Sequence, residues 1–308
     1  MRPRRVVLGT RGSSLALCQA RIVQTQLQAR YPDVAVALET ITAQADRQPE
    51  APLAAMSGEG IFVKELETAL LDGRIDLAVH SLKDLPLDTP RGLGIAAVLE
   101  RADPHDALVS RVSAGLQDLP AQCRVGTSSV RRRSQLLHQR GDLQVVEIRG
   151  NVDTRLRKLD EGRYDAMIVA ACGLMRLGLG ARITERLDFS VMLPEPGQGA
   201  LAVETRADDA ATRELMQPLD DRISRACVEA ERAFLAALGG GCRVPIAAYA
   251  SHHDGTLELE GVVIAPDGHQ QIRGGMSGPA DDPDALGRRL GQQLASQGAA
   301  DLLKNLRP

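Results

Sequence analysis

Tryptophan is missing altogether, and only 2% of the residues are aromatic. Single-stranded nucleic acid is held by stacking bases on aromatic rings, so the composition offers no such platform. Positive charge is not in excess either. The 37 Lys and Arg face 40 Asp and Glu, and a net charge of −3 gives no overall field to draw the chain to DNA or an anionic membrane. No apolar run approaches the length of a membrane span. The five cysteines, Cys18, Cys123, Cys172, Cys227 and Cys242, are odd in number and contain no C-x-x-C pair. That argues against a disulfide framework or a zinc site and suits a reducing compartment. His80, His105 and His138 lack ligand spacing, so no metal is expected. The basic stretch Met1–Arg5 is followed only by Val6-Val-Leu8, too short for the apolar core of a signal peptide, and the cytoplasm is the expected location. Phosphate-binding motifs are absent too. No G-x-x-x-x-G-K-[ST] occurs, and Gly9-Thr-Arg-Gly12 is not G-x-G-x-x-G.

What remains is a chain of 308 residues in which short apolar runs alternate with helical periodicity, the pattern of an α/β protein with two or three domains. Val6–Leu8 reads as a buried strand. A helix follows from Ser13 to Arg30, capped by Ser13 or Ser14 and stopped at Tyr31-Pro32. Val34, Val36 and Leu38 alternate as the next strand. The stretch 42–60 is polar, Ala-rich and broken by Pro49, Pro52, Gly58 and Gly60, and a loop of that length is a lid or a disordered segment. Ile61–Leu71 is expected to be helical and Ile75–Val79 a strand that runs into Lys83-Asp84.

A second unit echoes the first. Val125-Gly-Thr127 opens a helix as Leu8-Gly-Thr10 does, and Gly162-Arg-Tyr-Asp165 precedes a strand as Gly73-Arg-Ile-Asp76 does. Duplication and chance both account for two short motifs; the duplicated reading gives two similar α/β domains. Beyond Pro194-Glu-Pro-Gly-Gln198, Leu201–Val203 reads as a strand crossing back to the first. A helix over 220–238, a small antiparallel sheet with turns at Asp254-Gly255 and Asp267-Gly268, and a helix over 282–297 make a third, α+β domain. The expected boundaries are 1–99 with 200–217, 100–199, and 218–308.

Arginines gather where this pattern places helix starts. Thr127, Ser128 and Ser129 lead into Arg131, Arg132 and Arg133. There, unpaired backbone N–H groups favour an anion, while the helix dipole disfavours cations. One such cluster fits a solvated basic face as well as an anion site. It does not stand alone, because Arg149 and Arg155 repeat the arrangement after strand Val145–Ile148, and Arg11 does so after the first strand. Strand ends of open α/β sheets bind ligands, and the guanidinium fork matches carboxylate or phosphate. Several forks imply a ligand with several anionic groups, carboxylates at least as readily as phosphates. A non-catalytic module that binds a polycarboxylate satisfies these features equally well. Asp84 beside Lys83 suits either proton transfer or a turn before Pro86. Cys242, after Gly239-Gly-Gly241 and beside Arg243, suits either a reactive thiol or a small residue packed behind a glycine cap.

Taken in order, Phe62-Val-Lys-Glu-Leu66, Ala78-Val-His-Ser-Leu-Lys-Asp84, Gly126-Thr-Ser-Ser-Val-Arg-Arg132, Arg149-Gly-Asn-Val152, Pro196-Gly-Gln-Gly199 and Gly239-Gly-Gly-Cys-Arg-Val-Pro245 resemble the porphobilinogen deaminase (hydroxymethylbilane synthase) family over nearly the whole chain. The resemblance implies two domains like those of type II periplasmic binding proteins, with the active site in their cleft, and a smaller α+β C-terminal domain. It implies a monomeric transferase with a dipyrromethane cofactor held through a thioether that falls on Cys242. Four porphobilinogen units are joined to it with loss of ammonia, and hydrolysis releases the linear tetrapyrrole. By the same resemblance Asp84 assists departure of the nitrogen. Lys83, Asp84, Ser129, Arg131 and Arg132 hold the cofactor, and Arg11, Ser13, Gln19, Arg149, Arg155, Arg176 and Gln198 hold substrate. The lid departs from the family pattern at Gln44 and Glu59, where positive charges are expected. Ser14 and Cys18 depart where proline and tryptophan are expected.

Overall fold

The computed structural model describes residues 5–43, 63–112, 115–240 and 244–304. Most of the expected lid, residues 44–60, and the whole of Cys242 lie outside the described residues.

The chain opens with β1 (Arg5–Thr10), α1 (Ser14–Arg30), β2 (Ala35–Thr40), α2 (Lys64–Leu71), β3 (Leu77–Ser81) and β4 (Leu93–Val98). It continues through β5 (Asp106–Ser110), β6 (Arg124–Gly126), α3 (Val130–Gln139), β7 (Gln144–Val146), α4 (Val152–Asp160), β8 (Ala166–Ala170), α5 (Ala171–Arg176) and β9 (Glu185–Arg186). Then come β10 (Leu201–Arg206), α6 (Ala210–Met216) and α7 (Arg222–Ala237). Last are β11 (Ile246–His253), β12 (Thr256–Ile264), β13 (Gln271–Pro279), α8 (Pro283–Leu294) and α9 (Ala300–Lys304).

Two compact units result. The first takes residues up to 102 together with 200–225, and the second takes 103–199 and everything from 226. In the first, the sheet order is β2-β1-β3-β10-β4, with β10 antiparallel to both neighbours. In the second, the order is β7-β6-β8-β5-β9, with β5 antiparallel to both neighbours. The echoed motifs led one to expect two similar α/β units; the shared strand order, with the reversed strand in the same place, is added by the structure. Gly9 and Gly126 occupy matching strands for a matching reason. A Cβ on Gly9 would collide with Ile75, and one on Gly126 would sit 3.1 Å from Ile148.

The strands are apolar because both faces of each sheet are covered. Val6 and Leu8 of β1 are fully buried, and α1 packs Ala20, Val23 and Leu27 over them at helical spacing. Ser13 starts that helix by accepting the Ala16 N–H. In the second unit Leu108, Val125 and Ile168 face Leu136 of α3, while Val109, Met167 and Val169 face Leu156 and Leu159 of α4.

A separate three-stranded antiparallel sheet, β11-β12-β13, packs on α7 and α8 around Phe234, Leu259, Leu286 and Leu290. Within the second unit it also meets the larger sheet's flank, where Leu193 and Phe189 pack against Ala247, Val262 and Tyr249. The closing helix is shorter than its apolar periodicity predicts. α8 ends at Leu294, and Gly298, at φ 107°, breaks the path before α9. Among the described residues no helix is long and apolar enough to cross a membrane.

Candidate active site

In the first unit β1 delivers Arg11 and Ser13 to the start of α1, and Gln19 lies further along that helix. β3 brings His80 and Ser81 alongside, and a 3₁₀ turn, Leu82–Asp84, follows at once. Buried Leu82 pins this turn, donating its N–H to Ala200 and accepting from Leu85. Arg11, Ser13, Gln19, His80, Ser81 and Asp84, with apolar Leu15, Val63 and Val79, line a hollow of about 400 Å³, a volume that includes space open to solvent. Gln19, almost fully buried, donates from Nε2 to Oγ of Ser81 at 2.8 Å. The hollow therefore offers one carboxylate and one guanidinium between apolar walls. Lys83 is half-buried in the same turn as Asp84.

The second unit carries most of the arginines. Ser129 caps α3 by accepting the Arg132 N–H. The helix then buries Arg131 and Arg132 at 4% and 6% exposure, while Arg133 points outward. This overturns the solvated-face alternative for the first two and keeps it for the third. Both buried guanidiniums close on Asp106, the first residue of β5. Nη1 of Arg131 donates to Oδ2 at 2.7 Å and to the Leu193 carbonyl at 2.7 Å. Nε and Nη2 of Arg132 donate to Oδ1 at 3.0 and 2.8 Å. Gln198 is fully buried and adds its Nε2 to the same Oδ1 at 3.0 Å, with a second bond to the Pro104 carbonyl. Burial alone would raise the Asp106 carboxyl. The charges of Arg131 and Arg132, with hydrogen bonds from Arg131 and Gln198, overcome it and hold the group well below the usual carboxylate range.

Donors nevertheless exceed acceptors. Nε and Nη2 of Arg131 are buried with no hydrogen-bond partner among the described residues. Arg155 on α4 donates Nε to the Gly150 carbonyl. Its guanidinium is pulled down to about 10 by burial first, then by the charges of Arg132 and Arg149. Arg149 pairs with Glu147 at 2.6 Å, but that acid is largely exposed. Arg176 closes α5 and donates to the Gly199 carbonyl at 2.7 Å. Unsatisfied buried donors beside mutually repelling cations fit a ligand that brings several carboxylates, as a dipyrromethane does.

The structure thus groups Arg11, Ser13, Gln19 and Asp84 in one hollow and gathers Arg131, Arg132, Arg149, Arg155 and Gln198 within one electrostatic network. Sequence reasoning missed Asp106. Its signal was an acid opening a strongly apolar strand, Asp106-Ala-Leu-Val109, since a buried acid calls for buried cations. It also passed over His80 and Glu204, which face each other at 3.2 Å in the first unit. Among the described residues no group of acidic, His or Cys side chains could hold a metal ion.

Residues 6–214 match the family model described as "Porphobilinogen deaminase, dipyromethane cofactor binding domain", and residues 225–296 match "Porphobilinogen deaminase, C-terminal domain". A porphobilinogen deaminase of Desulforudis audaxviator is 50% identical over 304 residues, covering 99% of this chain and 98% of that protein. One from Chromobacterium violaceum is 50% identical over 299 residues, 97% of each chain. Among solved structures, a TRAP periplasmic solute binding protein from Desulfovibrio salexigens aligns at 11% identity with a TM-score of 0.41, covering 70% of this chain and 72% of that one. With the family model spanning well over half of it and relatives alike from end to end, the chain belongs to the porphobilinogen deaminase family.

Proposed function

We propose that this protein is a transferase that condenses four porphobilinogen molecules head to tail, with release of ammonia, on a dipyrromethane primer, giving hydroxymethylbilane. The observation that carries the reading is the surplus of buried guanidinium donors around Arg131 and Arg155, which asks for a ligand bearing many carboxylates. Each pyrrole ring of such a ligand brings two.

When bound, the dipyrromethane supplies the free pyrrole carbon to which the first unit is joined. Its attachment is assigned to the sulfur of Cys242, and its carboxylates to Lys83, Ser129, Arg131 and Arg132. Arg11, Ser13, Gln19, Arg149, Arg155 and Arg176 are assigned to incoming and joined rings. Gln198 acts behind them, through Asp106 and Arg132. In each cycle the bond from methylene carbon to ammonium breaks, its electron pair leaves with ammonia, and positive charge remains on the methylene. The Asp84 carboxylate stabilises that charge. After the carbon–carbon bond forms, the proton lost from the attacked ring carbon passes to the same carboxylate. Asp84→Asn keeps shape and removes the charge, so turnover should fall by at least about a hundredfold while folding and primer attachment persist. Near-normal ammonia release in that variant removes Asp84 from the role.

We further place the enzyme in the cytoplasm as a monomer, and divide it into domains 1–99 with 200–217, 100–199, and 218–308. The decisive experiment is intact mass under denaturing conditions. The purified chain should exceed its sequence mass by two linked pyrroles, and Cys242→Ser should lose that excess. An adduct that survives in Cys242→Ser places the linkage elsewhere. A chain that binds porphobilinogen without ever releasing ammonia is a binding module and not a transferase.

A further inference from the structure

β3 and β10 run antiparallel with Ala202 opposite His80 and Glu204 opposite Ala78. His80 and Glu204 are therefore diagonal neighbours on one face of the sheet. Nε2 of His80 lies 3.2 Å from Oε2 of Glu204, and their side chains are 3% and 1% exposed. A third ionisable group joins them from α2. Glu67 is half-buried, and its Oε1 is buried with no hydrogen-bond partner among the described residues. Burial raises the Glu67 carboxyl, the charge of Glu204 raises it further, and His80 works in the opposite direction. Two acids and one imidazole thus meet at a residue that forms part of the wall of the Asp84 hollow.

Stability gives little reason for this arrangement. A buried carboxylate–imidazole pair carries a desolvation cost that a well-packed apolar pair avoids. The adjoining strand positions Val79 and Val203 are apolar and fully packed. With Glu204 accepting from Nε2–H, the ring's Nδ1 is left as an acceptor, or as a second donor once the ring is protonated. A carboxylate behind an imidazole fixes its orientation, and whenever the ring carries its second proton it sets a positive charge in the wall of the hollow that Asp84 shares, which favours the ionised carboxylate that ammonia release needs.

We propose that His80, fixed by Glu204, is a positioning residue for Asp84 that sets the placement and charge of its carboxylate, an inference that rests on the transferase reading above. The charged groups around His80 are Glu204 from β10, Glu67 from α2, and Arg11 and Asp84, which share the hollow with it. Lys83 lies one residue before Asp84. Loss of the pair therefore keeps the Asp84 side chain but leaves its carboxylate less well placed and less well held as an anion.

The test uses Glu204→Gln, His80→Gln and the double variant, each with its primer attached. In each single variant kcat should fall on the order of tenfold, with KM within about twofold. The acid limb of the kcat profile should move to higher pH. The double variant should be no worse than the worse single one, because the two residues act as a unit. A readout independent of turnover is the imidazole ¹⁵N titration of His80. By linkage, Asp84→Asn must move its midpoint. Unchanged kcat and pH profile in both single variants overturns the proposal, as does a His80 titration indifferent to Asp84→Asn. Should His80→Gln fail to fold, the near-isosteric Glu204→Gln and the titration still decide the matter. Wild-type protein that releases no ammonia overturns the transferase reading and this inference together; active wild type with unaffected variants overturns the inference alone.

Discussion

Asp106 gives the buried arginines their only interior carboxylate among the described residues, and its environment fixes the sign of a pH effect. Its folded value is depressed, so its contribution is complete above the unfolded carboxylate value of about 4 and is lost as pH falls from there toward the depressed value. Asp106→Asn leaves Arg131 and Arg132 buried without that charge and should cost about 3–5 kcal/mol near neutrality. In urea unfolding the gap between variant and parent should narrow steadily below about pH 4. A gap that stays constant with pH would mean that the ionised form of Asp106 is not what stabilises the fold. Residues of this kind are poorly legible in sequence. Arg131 and Arg132 announce themselves by sitting where the helix dipole repels cations. Asp106 opens the short apolar strand β5 seven residues after Leu99, and only the packed structure shows that Arg131, Arg132 and Gln198 converge on it. Glu204 is hidden in the same way, because the strand pairing that sets it beside His80 joins positions 124 residues apart.

Elements were easier to read where the chemistry is local. Ser13 and Ser129 mark their helix starts because a hydroxyl there accepts an orphan N–H, and both do so in the structure. Asp254-Gly255 and Gly268 mark turns because each needs a positive φ. The end of α8 was less legible, since apolar spacing runs on past Leu294 and the break depends on the backbone at Gly298. The contact of α8 with α7 could not be read at all. Gly287 and Gly291 of α8 lie against Ala230, Ala233, Phe234 and Ala237 of α7, so closely that a Cβ on Gly287 would run into the Ala230 carbonyl. Backbone cannot swing aside as a side chain can. Gly287→Ala should therefore cost about 1–3 kcal/mol, despite its gain in helix propensity. Thermal unfolding measures it, and an unchanged or raised midpoint would mean that the two helices part easily. The effect bears on the site, because α7 leads straight into the glycines that precede Cys242.

Across the whole molecule, two sheets of one order, each with its reversed strand in the fourth place, carry the duplication that a handful of glycine-centred motifs suggested. Those motifs were legible because they mark strand ends, where geometry restricts the choice of residue. The reversed strands β5 and β10 were harder, because nothing in an apolar run states its direction. The same architecture concentrates cations at strand ends although the net charge is −3, so that the local field opposes the overall one. Arg155 shows the consequence. A base whose folded value is lowered to about 10 destabilises the fold wherever it stays protonated, and so throughout the neutral range. That cost eases only as pH rises past about 10 toward the unfolded value, or when an anion is bound. Protein prepared without primer, as Cys242→Ser is expected to be, should therefore melt lower than the loaded enzyme, on the order of 5 °C. Added salt should recover part of that difference by screening Arg132, Arg149 and Arg155 from one another, and should do less for the loaded form, whose carboxylates already neutralise them. Equal melting points at low salt, or a salt response identical in both forms, would mean that the cluster is balanced without a ligand. The surplus of buried guanidinium would then no longer argue for a polycarboxylate.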